Sequence, residues 1–171
     1  MMRVLCSIVL AILLASCSSK RDPVRPPVSA PVQEVNAPKE ANDTTWFYSR
    51  GACFGMCPIF ELTVLKDGRA FYLGKNHVDR IGRFEAQVSF SDLEIVRLKA
   101  KEIGYFQMKA VYDNDLVHDL PDITTALAHE GKLHWVRNRY KGPATLRMLY
   151  TEMDSLIERQ HWRPVSTNNK Q

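Results

Sequence analysis

The chain has 171 residues, of which 45% are hydrophobic and 25% charged, and these are ordinary proportions for a soluble globular protein. The length is sufficient for one domain with its own hydrophobic core once targeting and linker segments are set aside. The formal net charge is +4 and the basic residues form no dense run, so the composition argues against a nucleic-acid-binding protein.

The N-terminus has the pattern of an export signal. Arg3 precedes an apolar run over residues 4–14. At about 11 residues, this run is shorter than the roughly 20 residues that a membrane-spanning helix requires. We therefore predict a cleaved signal peptide over residues 1–16.

The residues around the cleavage point, Leu14-Ala15-Ser16-Cys17, resemble the lipobox of bacterial lipoproteins. The resemblance implies cleavage before Cys17, diacylation of its thiol and acylation of its new amino group. Several acyl chains anchor a protein stably, whereas one chain binds weakly and reversibly. Because Ser18 rather than an aspartate follows, the resemblance also implies attachment to the outer membrane, with the domain facing the periplasm. An ordinary secretory signal with a chance cysteine is the alternative.

The segment after Cys17 is rich in proline and poor in large apolar side chains. Five of the nine prolines lie in residues 18–45, namely Pro23, Pro26, Pro27, Pro31 and Pro38. Such a segment cannot bury a core, so we predict an extended tether over residues 17–45. At about 3.1 Å per residue it reaches on the order of 80–90 Å. The tether is a spacer in one interpretation and a linker without selected length in the other.

Cys53 and Cys57 remain once Cys6 leaves with the signal and Cys17 is acylated. An even pair in an oxidising compartment predicts a disulfide. The C-x3-C spacing followed by proline also resembles the copper-binding motif of periplasmic chaperones for cytochrome oxidase assembly, and soft thiolates suit Cu(I). A redox dithiol is a third interpretation. In both of those site types a helix follows the cysteines, whereas Pro58 leads here into an alternating strand, which favours the structural disulfide.

The first hairpin is predicted from an alternating strand and a turn signal. Residues 59–65 alternate between apolar and polar side chains, and Asp67-Gly68 follows them as a two-residue turn. This turn pairs Val64 with Phe71 and Leu62 with Leu73, which places all four side chains on one face.

Residues 46–162 are predicted to form the folded domain, and residues 163–171 a frayed tail. Beside the hairpin, the predicted elements are a short aromatic strand over residues 46–48, a strand over 84–88, a helix over 92–103 capped by Ser91, strands over 123–129 and 133–138, and a last helix opened by Pro143. Together they predict an α+β fold, with a mainly antiparallel sheet of about five strands in the order β-β-β-α-β-β-α and two helices packed on one face.

Four aspartates in a short acidic stretch are candidate Ca²⁺ ligands: Asp113, Asp115, Asp119 and Asp122. An EF-hand additionally requires a loop glycine and a terminal bidentate glutamate, and this stretch contains neither. Short acidic loops are usually solvated turns with local hydrogen bonds, and that interpretation is favoured here.

Histidines offer a second set of candidate metal ligands. His129 and His134 are predicted as diagonal neighbours on one face of the last hairpin, yet zinc normally requires three or four ligands. We therefore predict exposed strand histidines, no resident cofactor and no metal site. The sequence contains no G-x-S-x-G motif and no phosphate-binding glycine loop, so no catalytic residue is assigned.

Over about residues 46–162 the chain resembles a family of uncharacterised bacterial lipoproteins with one domain of unknown function. The resemblance rests on the Cys-Phe-Gly-x-Cys-Pro motif at positions 53–58, the Asp67-Gly68 turn, Tyr112, Asp119-Leu120-Pro121, the Gly131-Lys132 turn and Pro143. It implies no activity, substrate or cofactor.

Two hypotheses for the function follow from these patterns. The first is a non-enzymatic envelope lipoprotein, bound to the membrane through its lipid, whose domain binds an envelope protein partner or supports an assembly. The second is a periplasmic copper-binding or thiol-redox protein that uses Cys53 and Cys57.

Overall fold

A computed structural model of the chain describes residues 43–166, so the predicted signal peptide, Cys17 and most of the predicted tether lie outside the described residues. The elements are β1 (Thr44–Arg50), β2 (Ile59–Leu65), β3 (Arg69–Asn76), β4 (Gly82–Gln87), α1 (Phe90–Glu102), a 3-10 helix (Tyr105–Gln107), β5 (Val111–Tyr112), β6 (Ile123–His129), β7 (Lys132–Asn138), α2 (Leu146–Arg159) and β8 (Arg163–Pro164). None of the helices described is long and apolar enough to cross a membrane.

The described strands form one eight-stranded sheet in the order β5-β7-β6-β1-β2-β3-β4-β8. All neighbours pair in antiparallel fashion except β5 and β7, which are parallel. The predicted mixed α+β class is confirmed, whereas the predicted strand count and order are wrong. β5 and β8 have two residues each, too few to show a periodicity, and β8 lies in the segment predicted to fray. β1 is a seven-residue strand between the two hairpins.

One face of the sheet carries the core. Burial alternates along β1, β2 and β3, and the inward side chains form a single buried cluster with residues of both helices. Its largest fully buried members include Tyr48, Leu62, Tyr105, Leu127, Leu146, Leu149, Met153 and Leu156. Burial of such a side chain contributes about 1.5–3 kcal/mol. α2 buries six residues and α1 two, so α2 is the main cover of the sheet.

The first hairpin has a different register from the predicted one. Val64 pairs with Ala70 rather than with Phe71, and the other pairs shift by one residue with it. The Gly68 amide donates to the Leu65 carbonyl at 3.0 Å, and Gly68 has a φ of +85°. This is a three-residue loop with a left-handed glycine rather than the expected two-residue turn. Because a slip of one residue exchanges the faces of a strand, Phe71 lies on the outer face of the sheet.

α1 begins two residues before the predicted start. The side-chain oxygen of Ser89, not that of Ser91, accepts a hydrogen bond from the Asp92 amide at 3.1 Å. Ser89 has the extended backbone of an N-cap, with φ −71° and ψ 151°. Ser91 lies within the first turn, where its backbone is already helical. Gly104, with a φ of +68°, terminates the helix in the left-handed conformation that C′ residues adopt.

Candidate functional site

Four connections leave the sheet at the same end, and three of them contact one another. These three are the β1–β2 connection (residues 51–58), the β3–β4 connection (residues 77–81) and the β5–β6 connection (residues 113–122), and the fourth is the β7–α2 connection (residues 139–145). We call this part of the molecule the loop end, and we call the opposite end, with the turns at residues 66–68 and 130–131, the hairpin end. The cysteine pair and the acidic stretch singled out in the sequence both lie at the loop end.

Cys53 and Cys57 form a disulfide, with Cα atoms 5.8 Å apart. The bond closes the middle of the β1–β2 connection into a small ring. His77, in the β3–β4 connection, places its Nδ1 atom 3.3 Å from the Cys57 carbonyl oxygen. One side of the disulfide ring therefore contacts the neighbouring β3–β4 connection.

The other side of the disulfide ring is bonded to the β5–β6 connection. The Gly51 amide donates to the Asp122 carbonyl at 2.7 Å, and the Phe54 amide donates to the Asp119 carbonyl at 3.4 Å. A Cβ atom added at Gly51 would meet the Asp122 backbone oxygen at 3.3 Å. The two backbone segments therefore approach closely here. The β1–β2 connection is thus bonded to the β5–β6 connection through the backbone and to the β3–β4 connection through the His77 side chain.

Large apolar side chains project from this supported surface. Phe54 is 92% exposed and Met56 85% exposed, both within the disulfide ring. Leu116 is 88% exposed and Leu120 41% exposed, both in the adjoining β5–β6 connection. We call these four residues the apolar quartet. Apolar patches of this kind, rimmed by polar groups, mark interaction sites on soluble domains.

A cavity of about 280 Å³ lies beside the disulfide ring. Its apolar wall includes Phe60 and Tyr72, whose rings stack with centroids 5.5 Å apart. The remaining lining residues are Arg50, Pro58, His77, Val78, Asp79, Arg80, Asp154, Ile157 and Glu158. The cavity therefore combines an apolar wall with charged groups of both signs and opens at the loop end.

Arg50, Tyr48 and Asp154 form a hydrogen-bonded network at one side of the cavity. The Tyr48 hydroxyl donates to Asp154 Oδ1 at 2.8 Å, and Arg50 Nε donates to the Tyr48 hydroxyl oxygen at 2.7 Å. Arg50 Nη2 also pairs with Asp154 Oδ2. Burial raises the pKa of Asp154 and the pKa of Tyr48. Sequence reasoning missed this network, because Arg50 and Asp154 are separated by 104 positions and neither belongs to a local motif.

The acidic stretch divides into paired and unpaired carboxylates. Asp113 accepts from Arg139 Nε at 2.6 Å, and Asp122 accepts from Arg137 Nε at 2.6 Å. The hydrogen bond from Arg139 lowers the pKa of Asp113. Within residues 43–166, no group of three or more His, Cys, Asp or Glu side chains is arranged to hold a metal ion. Arginine side chains thus pair with two of the four aspartates of the predicted acidic cluster.

The histidines of the last hairpin are not the exposed strand residues that the sequence predicts. The His129 ring stacks on Phe106 with centroids 4.1 Å apart, and the His134 ring meets Tyr105 edge-on at 5.4 Å. Both histidines are half-buried. The 3-10 helix after α1, where the sequence predicts no helix or strand, supplies these aromatic partners.

The family model described as "Domain of unknown function (DUF6438)" matches residues 45–157. The match extends from β1 through most of α2 and includes all four connections of the loop end. No curated protein matches the chain.

Proposed function

The chain belongs to the family of the domain of unknown function (DUF6438), and within that family we propose that it is a non-enzymatic binding protein of the bacterial envelope. The lipobox-like residues up to Cys17 and the proline-rich stretch after them support a lipid anchor in the outer membrane and a domain held in the periplasm. The loop end is the binding surface, and an envelope protein is its partner.

The exposure of the disulfide ring carries this proposal. Phe54 and Met56 are 92% and 85% exposed, although burial of one such side chain contributes about 1.5–3 kcal/mol. The ring is closed by a disulfide and bonded to both neighbouring connections. Aromatic anchors on a pre-organised surface are typical of protein interfaces, because little conformational entropy is lost on binding.

The ionisable groups beside the cavity form a structural link. Asp154 accepts from the Tyr48 hydroxyl through one carboxylate oxygen and pairs with Arg50 through the other. The network joins β1 to α2 and fixes one wall of the cavity, which suits a pre-organised binding surface.

Site-specific photo-crosslinking in intact cells tests the binding surface. A photoreactive amino acid at Phe54 of the full-length chain is expected to form a discrete adduct with one envelope protein. The matched control is Phe90, which is 73% exposed at the start of α1 and is expected to form no such adduct. Equal adducts from both positions, or none from Phe54, would contradict the proposal.

Two changes test the anchor and the tether. Cys17→Ser is expected to abolish fatty-acid labelling and to release the chain from the membrane fraction, whereas Cys6→Ser in the signal is expected to leave labelling unchanged. Deletion of residues 18–42, which spares β1, is expected to remove the Phe54 adduct if the tether is a spacer. Unchanged labelling in Cys17→Ser rules out the anchor, and an unchanged adduct after the deletion rules out the spacer.

A copper-binding or thiol-redox role is the second candidate, and the exposed sulfur of Met56 is the observation that favours it. Met56 lies between Cys53 and Cys57, and His77 contacts the Cys57 backbone. Thiolate, thioether and imidazole groups all bind Cu(I) or Cu(II). The pair forms a disulfide, so binding requires prior reduction by a dithiol. Stoichiometric binding of Cu(I) after reduction is expected only under this candidate, and a pair that resists mild reductant and binds no copper removes it.

A further inference from the structure

We infer that the loop end binds a segment of its protein partner that is both cationic and apolar. This inference rests on the proposed function above, and it specifies the chemistry of the partner. The apolar quartet supplies the contact area, and the charges that surround the quartet select the occupant.

The loop end is acidic although the chain as a whole has a net charge of +4. Its three contacting connections contain five aspartates and one arginine, which gives −5 + 1 = −4. Arg137 of β7 and Arg139 of the β7–α2 connection pair with two of the aspartates. Lys141 lies in that same connection, so the local charge is −4 + 3 = −1. The overall charge therefore does not account for the sign of this surface.

Two of the unpaired carboxylates lie next to the apolar quartet. Asp115 and Asp119 form no ion pair within residues 43–166, and they directly precede Leu116 and Leu120. The Asp119 backbone carbonyl also accepts a hydrogen bond from the Phe54 amide, which places the backbone of Asp119 beside the disulfide ring. Acidic and apolar residues thus alternate along the β5–β6 connection, whose backbone is bonded to the disulfide ring.

A segment with lysine or arginine between apolar residues complements both features. Long basic side chains can cover apolar surface with their methylene stems while their charged ends reach carboxylates. Complementary charge increases the association rate and selects among partners, and it makes binding sensitive to salt. An anionic membrane surface carries the wrong sign for Asp115 and Asp119, so a lipid headgroup is disfavoured as the occupant.

The test uses the full-length chain in a zwitterionic detergent with a photoreactive amino acid at Phe54. Two synthetic probes are compared, a ten-residue peptide of alternating Lys and Leu and its counterpart of alternating Glu and Leu. The same photoreactive group at Phe90 reports peptide that has merely partitioned into detergent. We expect the Lys/Leu peptide to form the Phe54 adduct at about tenfold lower concentration than the Glu/Leu peptide, a ratio that two or three exposed charge pairs account for.

Conservative variants then assign the effect to named groups. Asp115→Asn with Asp119→Asn is expected to weaken adduct formation by the Lys/Leu peptide several-fold, and Asp67→Asn at the hairpin end is expected to leave it unchanged. Added salt is also expected to weaken adduct formation by the Lys/Leu peptide, because salt screens the charges.

Equal adducts with both peptides, an unchanged result in the double Asn variant, or Phe54 adducts with phosphatidylglycerol vesicles at the expense of the peptide would overturn the inference. If the Phe54 adduct in cells persists under any of these results, the proposed function stands and only the partner chemistry is wrong. If the adduct in cells is also missing, both fail.

Discussion

The two ends of the sheet differ in what their residues do. The turns of the hairpin end contain only charged residues and glycine, and their glycines adopt the positive φ that the loops require, +85° at Gly68 and +77° at Gly131. The loop end has longer connections, a disulfide and five exposed large apolar side chains, the apolar quartet and Ile81. Sheet formation explains every residue of the hairpin turns. It does not explain Phe54 or Met56, which indicates that the loop end has a role beyond folding.

Substitution of Gly74 is expected to be strongly destabilising, and it tests whether the β3–β4 connection is packed onto the sheet. A Cβ atom on Gly74 would lie 1.7 Å from the Arg80 carbonyl oxygen, so the β3–β4 connection must move. We expect Gly74→Ala to lower the free energy of unfolding by about 3 kcal/mol, at the upper end of overpacking effects. Urea denaturation measures this change.

Gly131→Ala at the hairpin end is the matched control, because the same substitution there meets no atom within 4 Å. Its cost comes from the left-handed backbone alone and is about 1–2 kcal/mol. If Gly74→Ala destabilises no more than Gly131→Ala, the β3–β4 connection is not held against β3, and the contrast between the two ends is weaker than the structure indicates.

Removal of the disulfide is expected to have the next largest effect. In the chain-entropy model, opening a five-residue ring costs about 2 kcal/mol, so the double variant Cys53→Ser/Cys57→Ser should lose that much stability. Hydrogen exchange should accelerate in residues 51–58 and in the bonded stretch around Asp119, while the turn at residues 66–68 remains protected. Uniform acceleration of exchange at both ends would show that the disulfide stabilises the whole domain rather than the loop end alone.

Much of the sheet follows from local sequence patterns, and the departures have physical causes. The alternation of apolar and polar residues in β2 and the turn at Glu130-Gly131 are local sequence patterns, so both could be predicted. The register of the first hairpin was not, because Asp67-Gly68 suits both a two-residue and a three-residue loop. The position of Phe71 on the outer face of the sheet follows from the loop length alone.

The candidate site divides in the same way. The disulfide pair is visible in the spacing of Cys53 and Cys57, and the acidic stretch is visible in its composition. The Arg50–Asp154 pair and the cavity beside it depend on where α2 crosses the sheet, and no local pattern encodes that crossing. The exposure of Phe54 is likewise a tertiary property, since an aromatic residue between two cysteines could equally be buried.

Asp154 of α2, in the cavity wall, and Asp113 of the loop end are expected to respond to pH in opposite directions. Burial raises the pKa of Asp154 above its ordinary 3.8, so its contribution to stability is complete below about 3.8 and is lost as the pH rises through the raised pKa. Arg139 lowers the pKa of Asp113 below 3.8, so its contribution is present above 3.8 and is lost as the pH falls through the lowered pKa.

Urea denaturation of Asp154→Asn and Asp113→Asn between about pH 2.5 and about pH 6 measures these contributions. Relative to the unsubstituted chain, Asp154→Asn should gain stability as the pH rises, and Asp113→Asn should lose it. The hairpin end supplies a reference in Asp67, whose pKa is lowered by the hydrogen bond from Arg69, so Asp67→Asn should change in the same direction as Asp113→Asn. If the stabilities of Asp154→Asn and Asp113→Asn change with pH in the same direction, burial is not the main influence on the pKa of Asp154.

Phe54→Ser is expected to have the smallest effect on the free energy of unfolding among these substitutions. The side chain is 92% exposed, and such surface substitutions usually change the free energy of unfolding by less than about 0.5 kcal/mol. Phe60→Ala, at a position 5% exposed, should by contrast cost about 3–5 kcal/mol. If Phe54→Ser is nearly neutral in denaturation yet abolishes the adduct formed in cells from a photoreactive group at Met56, the aromatic ring serves binding. A loss of stability close to that of Phe60→Ala would make Phe54 a structural residue and would remove the reason to separate the two ends.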